Sequence, residues 1–274
     1  MSGLGSGLRA RARRLLVTRL HRSGRFFTRA MPLTDVRALL ADLQPVVTDV
    51  PLIRVGPKGD GGYLVPDDLG GIEACFSPGV ADISDFELDC ANRGMRVFLA
   101  DRSVDGPAVD HANFEFVKRH LGANNDDGTM TLDRWVSESG VEADAELMLQ
   151  IDIEGAEYEV FLNASEQLLS RFRIIVAEFH MLDDLFDAGF FRIGNAVMCR
   201  LLLTHHCVHI HPNNCCGSVA VDDVEVPRVA EFTFLRRDRA EASGRVVSFP
   251  HPLDAKNTVK PPLPLAPAWF PRSS

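Results

Sequence analysis

Three acids stand within six residues at Asp152, Glu154 and Glu157, in the run ELMLQIDIEGAEYEVF. The first half of that run reads as a buried parallel strand, which should be apolar on both faces. Gln150 and Asp152 interrupt it on one face. Acids this close repel unless water, a cation or a polar ligand meets them. Glu154 and Glu157 have an ordinary explanation, because the start of a helix favours acids. Asp152 does not. A second run, RIIVAEFH, ends with Glu178 and His180 on one face. A carboxylate beside an imidazole suits a general base, and equally a satisfied core histidine. A third run, HHCVHIHPNNCC, puts Cys207, His209 and His211 on one face at period two, with Asn213 and Asn214 in the turn beyond. Zinc-type spacing is missing and the adjacent Cys215 and Cys216 would chelate poorly. Asp152, Glu154, Glu178, His180 and His211 are instead hard-to-borderline ligands of the kind that hold Mg²⁺ or Mn²⁺.

Two glycine-bearing segments add a candidate binding surface. In CFSPGVADISDFE, Ser77, Pro78 and Gly79 form a tight turn after a strand. Gly79 would let the backbone approach a ligand. A dinucleotide loop shows G-x-G-x-x-G, and one glycine alone suits a cofactor without pyrophosphate. Asp101 ends the next strand, 22 residues after Gly79. An acid at about that distance is placed to accept hydrogen bonds from a ribose diol. Upstream, RVGPKGDGGYLV reads as a polar loop running into a short strand. It is either a plain hairpin or a cover over the cofactor by Asp60, Gly62 and Tyr63.

These residues need a frame that gathers them. Strand-like runs are expected at 73–77, 96–101, 113–119, 146–152, 173–180, 207–211 and 228–236. Helical runs are expected at 82–92, 131–139, 157–171 and 183–204. Alternation of this kind predicts an α/β fold, a seven-stranded, mostly parallel sheet with helices on both faces. The last two strands are joined without a helical pattern, so they should form a C-terminal antiparallel hairpin. In such a sheet, ligands bind outside the carboxyl ends of the strands.

Composition agrees with a globular body. The chain has 274 residues, 46% of them hydrophobic and 24% charged. This excludes bulk disorder, collagen-like repeats and a disulfide-dense small scaffold, and no run approaches the ~18 apolar residues of a membrane span. Residues 1–34 hold eight arginines and no acid, which leaves 21 basic and 38 acidic residues, a net charge of −17, for the rest. Nucleic acid is not expected as a partner of so acidic a body. Residues 1–32 form a basic arm, read either as a solvated, disordered tail or as a surface-binding segment touching anionic lipid. Residues 33–248 form the main domain. Residues 249–274, with seven prolines, form a tail packed along the body. The six scattered cysteines fit a reducing, cytoplasmic compartment, with the arm reaching the inner membrane surface in the lipid reading.

QIDIEGAEYEV resembles the strand-four signature of the FkbM-type methyltransferases, roughly K/Q-x-D-x-E-G-x-E. RVGPKGDGGYLVPDDL, CFSPGVADISDFE, VAEFH, HIHPNNCCG and VPRVAEFTFLRR are similar to a bacterial subgroup of that family, over roughly residues 50–237. The resemblance implies a Rossmann-like class I methyltransferase with S-adenosylmethionine (SAM) as methyl donor. It also implies O-methylation of a sugar or other polyhydroxy small-molecule or glycan acceptor. The expected cofactor set is then Asp60, Gly62, Tyr63, Ser77, Pro78, Gly79, Asp101 and Asp152. The expected catalytic set is Asp152, Glu154, Glu178, His180, His211 and Asn213, with His180 or His211 as base, oriented by Glu178. Two other classes stay open on the residues alone. One is a divalent-metal-dependent enzyme using the acid and histidine rim. The other is a non-catalytic binding module with a decayed SAM site.

Overall fold

A computed structural model of the chain describes residues 27–271 and scattered positions between 11 and 23. The basic arm through Arg25 lies for the most part outside the described residues, and with it both readings of that arm. One sheet holds seven strands: β1 (Ile72–Pro78), β2 (Arg96–Ala100), β3 (Phe114–Val117), β4 (Glu146–Ile151), β5 (Phe172–Phe179), β6 (His205–Pro212) and β7 (Ala230–Arg236). Their spatial order is β6-β7-β5-β4-β1-β2-β3. β7 runs antiparallel to β5 and β6, and the other neighbours pair in parallel. Read from the β3 edge the order is 3-2-1-4-5, the doubly wound arrangement with a switch point between β1 and β4. The reversed β7 then slots in ahead of β6. This is the expected Rossmann-like sheet with its C-terminal antiparallel hairpin.

The strands are apolar because both faces are covered. On one face Phe76, Leu149, Ile151 and Phe179 pack under α1 (Leu33–Leu43), α3 (Leu132–Glu138), α4 (Glu157–Asn163) and α6 (Ala188–Thr204). On the other, Cys75, Val97, Leu99, Met148 and Val176 meet Phe86 and Cys90 of α2 (Asp85–Asn92). The sequence reading did not list α1, although Val36, Leu39, Leu40 and Leu43 form its buried stripe at helical spacing.

Three local expectations change. The helix expected over 157–171 is two, α4 and α5 (Glu166–Leu169). Ser165 interrupts it: its hydroxyl caps α5 at Leu168 N–H, and its own N–H donates to Asp133. The helix expected from 183 begins as a 3₁₀ turn, Leu182–Phe186, and α6 starts only after Asp187, whose carboxylate accepts from Gly189 and Phe190 N–H. In β6 a register shift between Cys207 and His209 breaks the period of two. A residue inserted there moves Cys207 to the opposite face from His209 and His211. Cys207 therefore shares one core layer with Ile210, while Val208 lies in the other.

The chain beyond 248 lies against this body. Trp269 is fully buried, and its indole N–H donates to the Glu225 carbonyl at 3.0 Å. Asn214 holds the same segment through hydrogen bonds to Thr258, Lys260 and Pro261. Cys215 and Cys216 form a vicinal disulfide, and Cys75, Cys90, Cys199 and Cys207 are free. The bond departs from the reduced set that scattered cysteines suggest; chain neighbours need no fold to meet. No helix among the described residues is long and apolar enough to cross a membrane.

Candidate active site

The carboxyl ends of β1, β2 and β4 open onto one crevice of about 340 Å³. Gly79, Ala81, Asp101, Ser103, His120, Asp152 and Glu154 are among its walls. Pockets of roughly 300–1,000 Å³ suit a nucleoside-sized ligand. Gly79 is required for a reason the sequence did not reveal. Its φ is +91°, and a Cβ there would lie 1.6 Å from the Asp152 carbonyl oxygen. The glycine thus lets two strand ends touch, and the Asp152 N–H donates to the Pro78 carbonyl at 3.3 Å. The close neighbour of Gly79 is Asp152 itself, which this contact holds at the wall of the crevice. Asp101 is 7% exposed, and its carboxylate accepts from the Ser103 N–H and hydroxyl at 2.7 Å and from the Ala81 N–H at 3.2 Å. Burial works against its charge, but these donors outweigh burial and hold the carboxyl below its usual range. It enters the crevice as an oriented anion with lone pairs to spare.

Asp152 also belongs to a second group. His180 Nε2 lies 3.9 Å from Asp152 Oδ1, 3.4 Å from Glu154 Oε2 and 3.9 Å from Glu178 Oε1. Its other nitrogen, Nδ1, is 3.1 Å from Glu157 Oε1. The orienting carboxylate is therefore Glu157, not Glu178 as expected. Glu157 is fully buried, and the same oxygen accepts from the Ile153 and Gly155 N–H groups. Asn213 donates to Glu178 Oε1 at 2.9 Å. Burial opposes a charge on His180, but Glu157, Asp152 and Glu178 outweigh it and raise the imidazole to about 9. Burial first and Glu231 second push Glu178 up to about 8. Asp152 is raised by burial and by Glu178. The strand ends thus hold protons near neutral pH, which ordinary surface carboxylates do not.

Residues 112–201 match the model of the methyltransferase FkbM domain. The match covers 90 of the 274 residues, and that stretch is similar to the FkbM domain. The matched stretch runs from β3 into α6 and contains Asp152, Glu154, Glu178 and His180. No curated protein matches the chain. A solved structure titled "Crystal Structure of EvdMO1" is similar at 13% identity and a TM-score of 0.28, over 76% of this chain and 47% of that one. The chain spans about half the length of that relative.

Other expected site residues fall elsewhere. Ser77 and Tyr63 are buried beneath the rim. Ser77 hydrogen-bonds Glu87 and donates to Gln150 Oε1, and Gln150 Nε2 donates to the Tyr63 oxygen at 3.2 Å. A hydroxyl has one proton to give, so Glu87 must supply the proton it shares with Ser77. Burial raises the Glu87 carboxyl to about 6, which permits this. The folded state then prefers protonated Glu87 more than the unfolded chain does. Stability from this group is full below about 4.5 and is lost as pH rises through 6. Replacement by the neutral isostere, Glu87→Gln, should flatten that decline and raise the thermal midpoint at pH 7.5 relative to wild type. A variant less stable than wild type at pH 7.5 would contradict the assignment.

Pro78 is part of β1 and touches the site through its carbonyl. Gly62 ends a loop clamped by Arg54, whose guanidinium donates to the carbonyls of Pro57, Gly59 and Gly62. The loop is a hairpin, with strands Leu52–Val55 and Tyr63–Pro66. Asp60, Gly62, Tyr63, Ser77 and Pro78 are absent from the crevice wall. Asp60 meets Asn257 at 3.4 Å.

His211 sits across Glu231 from Glu178, because β7 pairs with both β5 and β6. Its two ring nitrogens are buried without a hydrogen bond, and Nδ1 is 3.6 Å from Asp254 Oδ2. Asp254 bonds His209 Nε2 at 2.9 Å, and Asn257 donates to Glu231 Oε1 at 2.6 Å. Sequence reasoning missed Glu157, Glu231, Asp254 and Asn257. The only signal for Glu231 was an acid at the start of an otherwise apolar strand.

Proposed function

We propose that this chain is a methyltransferase that transfers the methyl of SAM to a hydroxyl of a sugar or similar polyhydroxy acceptor. The observation that carries the reading is the double position of Asp152. It is a wall of the crevice beside Asp101 and Gly79 and also a member of the acid–histidine group. A donor in the crevice and an acceptor at the rim would therefore meet there. When bound, SAM would supply a sulfonium methyl whose carbon is open to in-line attack by an acceptor oxygen, with the C–S bond breaking and S-adenosylhomocysteine (SAH) leaving. The chain's own task is placement and removal of one proton. Asp101 would hold the ribose, and the Gly79–Asp152 contact would fix the floor near the sulfur. The acceptor hydroxyl would give its proton to His180 Nε2 in the neutral form of the ring, and Asp152 and Glu178 would stabilise the imidazolium that results. Carboxylates and Asn213 around the rim offer acceptors and a donor for neighbouring hydroxyls, which suits a polyol.

The test is calorimetric titration with SAH on wild type and on Asp101→Ala. Wild type should bind one SAH per chain. Loss of two hydrogen bonds from a charged acceptor, about 1.5–3 kcal/mol each at most, should weaken Asp101→Ala by at least about tenfold. Equal affinity in the two proteins would remove the ribose from Asp101 and the donor from this crevice.

A further inference from the structure

Asp152, Glu178 and His180 each offer one ligand atom, and these atoms lie within 4.8 Å of one another. No hydrogen bond joins them: the imidazole Nε2 stands 3.9 Å from an oxygen of each acid, too far for one. Spacings of this size leave room for a centre roughly 2.0–2.4 Å from each atom, the range of Mg²⁺ or Mn²⁺ ligation. We propose that these three side chains bind one hard divalent cation, Mg²⁺ or Mn²⁺, at the junction of the crevice and the rim.

Four further features favour an ion there. First, a histidine that binds a metal usually gives its other ring N–H to a carboxylate or carbonyl. His180 has this arrangement, with Nδ1 against buried Glu157 and Nε2 turned to the acids. Second, Asn213 fixes Glu178 from outside in the same manner. Third, the second oxygen of Glu157 is buried and has no hydrogen-bond partner. That leaves a fully desolvated carboxylate directly behind the imidazole, incompletely satisfied. Fourth, among the described residues no Lys or Arg forms an ion pair with Asp152, Glu154, Glu157 or Glu178. Four acids share one imidazole. Without an ion, that one imidazole is the group's sole positive partner among the described residues. A divalent cation would supply the missing positive charge at the centre of the three ligand atoms.

The ligands chosen are oxygen-rich with one imidazole, which suits Mg²⁺ and Mn²⁺ over softer metals. Three protein ligands leave open positions of a six-coordinate ion, facing the rim. A vicinal diol of the acceptor would fill two of them, and ligation would lower the pKa of the hydroxyl to be methylated, whose proton would then pass to Glu154, the rim carboxylate that is not a ligand, in place of His180. That role rests on the methyl-donor reading of the crevice; binding of the ion itself does not.

The experiment uses the full chain stripped with EDTA and then dialysed free of it. MnCl₂ binding is measured by electron paramagnetic resonance of free Mn²⁺, and SAH binding by calorimetry on the same samples. One Mn²⁺ per chain is expected, displaced by excess MgCl₂. Affinity should fall at least tenfold in Glu178→Gln and again in Asp152→Asn, and circular dichroism confirms that each variant is folded. No stoichiometric Mn²⁺ binding, or binding unchanged in both folded variants, overturns the site. If SAH binds while Mn²⁺ does not, the ion site alone fails. If Mn²⁺ binds and SAH does not, the donor reading fails and the ion site stands.

Discussion

His180→Ala is expected to lower the turnover of methyl transfer by about 10²–10⁴-fold, the usual worth of a positioned acid–base group. SAH affinity should change by less than about threefold. The difference follows from placement. His180 is not a wall of the crevice, so donor binding does not depend on it. It is the single imidazole among Asp152, Glu154, Glu157 and Glu178, so the proton state of that group does. Removing it leaves these acids facing each other without their counter-charge. Mutual repulsion would then drive them further toward their protonated forms, which leaves no free base in the group for the acceptor's proton. The measurement is methyl transfer from labelled SAM at saturating donor, with calorimetry alongside. Full turnover in His180→Ala would remove His180 from the chemistry and turn attention to His211, whose two ring nitrogens are buried without a hydrogen bond.

Gly79→Ala should cost more than any other single methyl added at a turn of this fold. Two effects add. The φ of +91° is strained for alanine, at about 1–3 kcal/mol. The new Cβ would also press on the Asp152 carbonyl, 1.6 Å away. Backbone rather than a flexible side chain must move, so a further ~1–3 kcal/mol is expected from overpacking. Gly94 provides the control. Its φ is +93°, yet nothing lies within 4 Å of its missing Cβ. Gly94→Ala therefore carries the strain without the collision. Chemical denaturation should show Gly79→Ala as the less stable of the two. SAH titration should show Gly94→Ala near wild type and Gly79→Ala weakened more than tenfold, because the Asp152 wall has shifted. Equal behaviour of the two variants would contradict the role given to the contact between β1 and β4.

The seven strands could be read from the sequence because each is an apolar run with both faces buried, cut off by polar or glycine residues. Parallel pairing followed from the helices between them. The rim followed too, since acids at strand ends have no place in a core. What could not be read depends on the third dimension. Glu231 reaches the rim only because β7 runs backwards, so that its first residues, not its last, lie beside Glu178 and His211. A search of carboxyl ends passes it by. Glu157 looked like an acid stabilising a helix start, and its full burial against His180 depends on how tightly Glu154 and Gly155 turn, both with positive φ. Asp254 and Asn257 arrive from a segment more than forty residues beyond His209 and His211. The shift at Cys207–His209 leaves no mark in a pattern of alternating residues. Gly79 was singled out for close approach to a ligand, and the neighbour the structure gives it is the protein's own backbone at Asp152.

The central claim is that one crevice, between the ends of β1, β2 and β4, receives the donor with its reactive end toward Asp152. A crystal structure of the full chain soaked or grown with SAH tests this most directly. The ribose hydroxyls should lie within hydrogen-bonding distance of Asp101, and the sulfur should point past Gly79 toward Asp152 and His180. SAH seated on another face of the molecule, or in the crevice with its sulfur turned away from Asp152, would contradict the account.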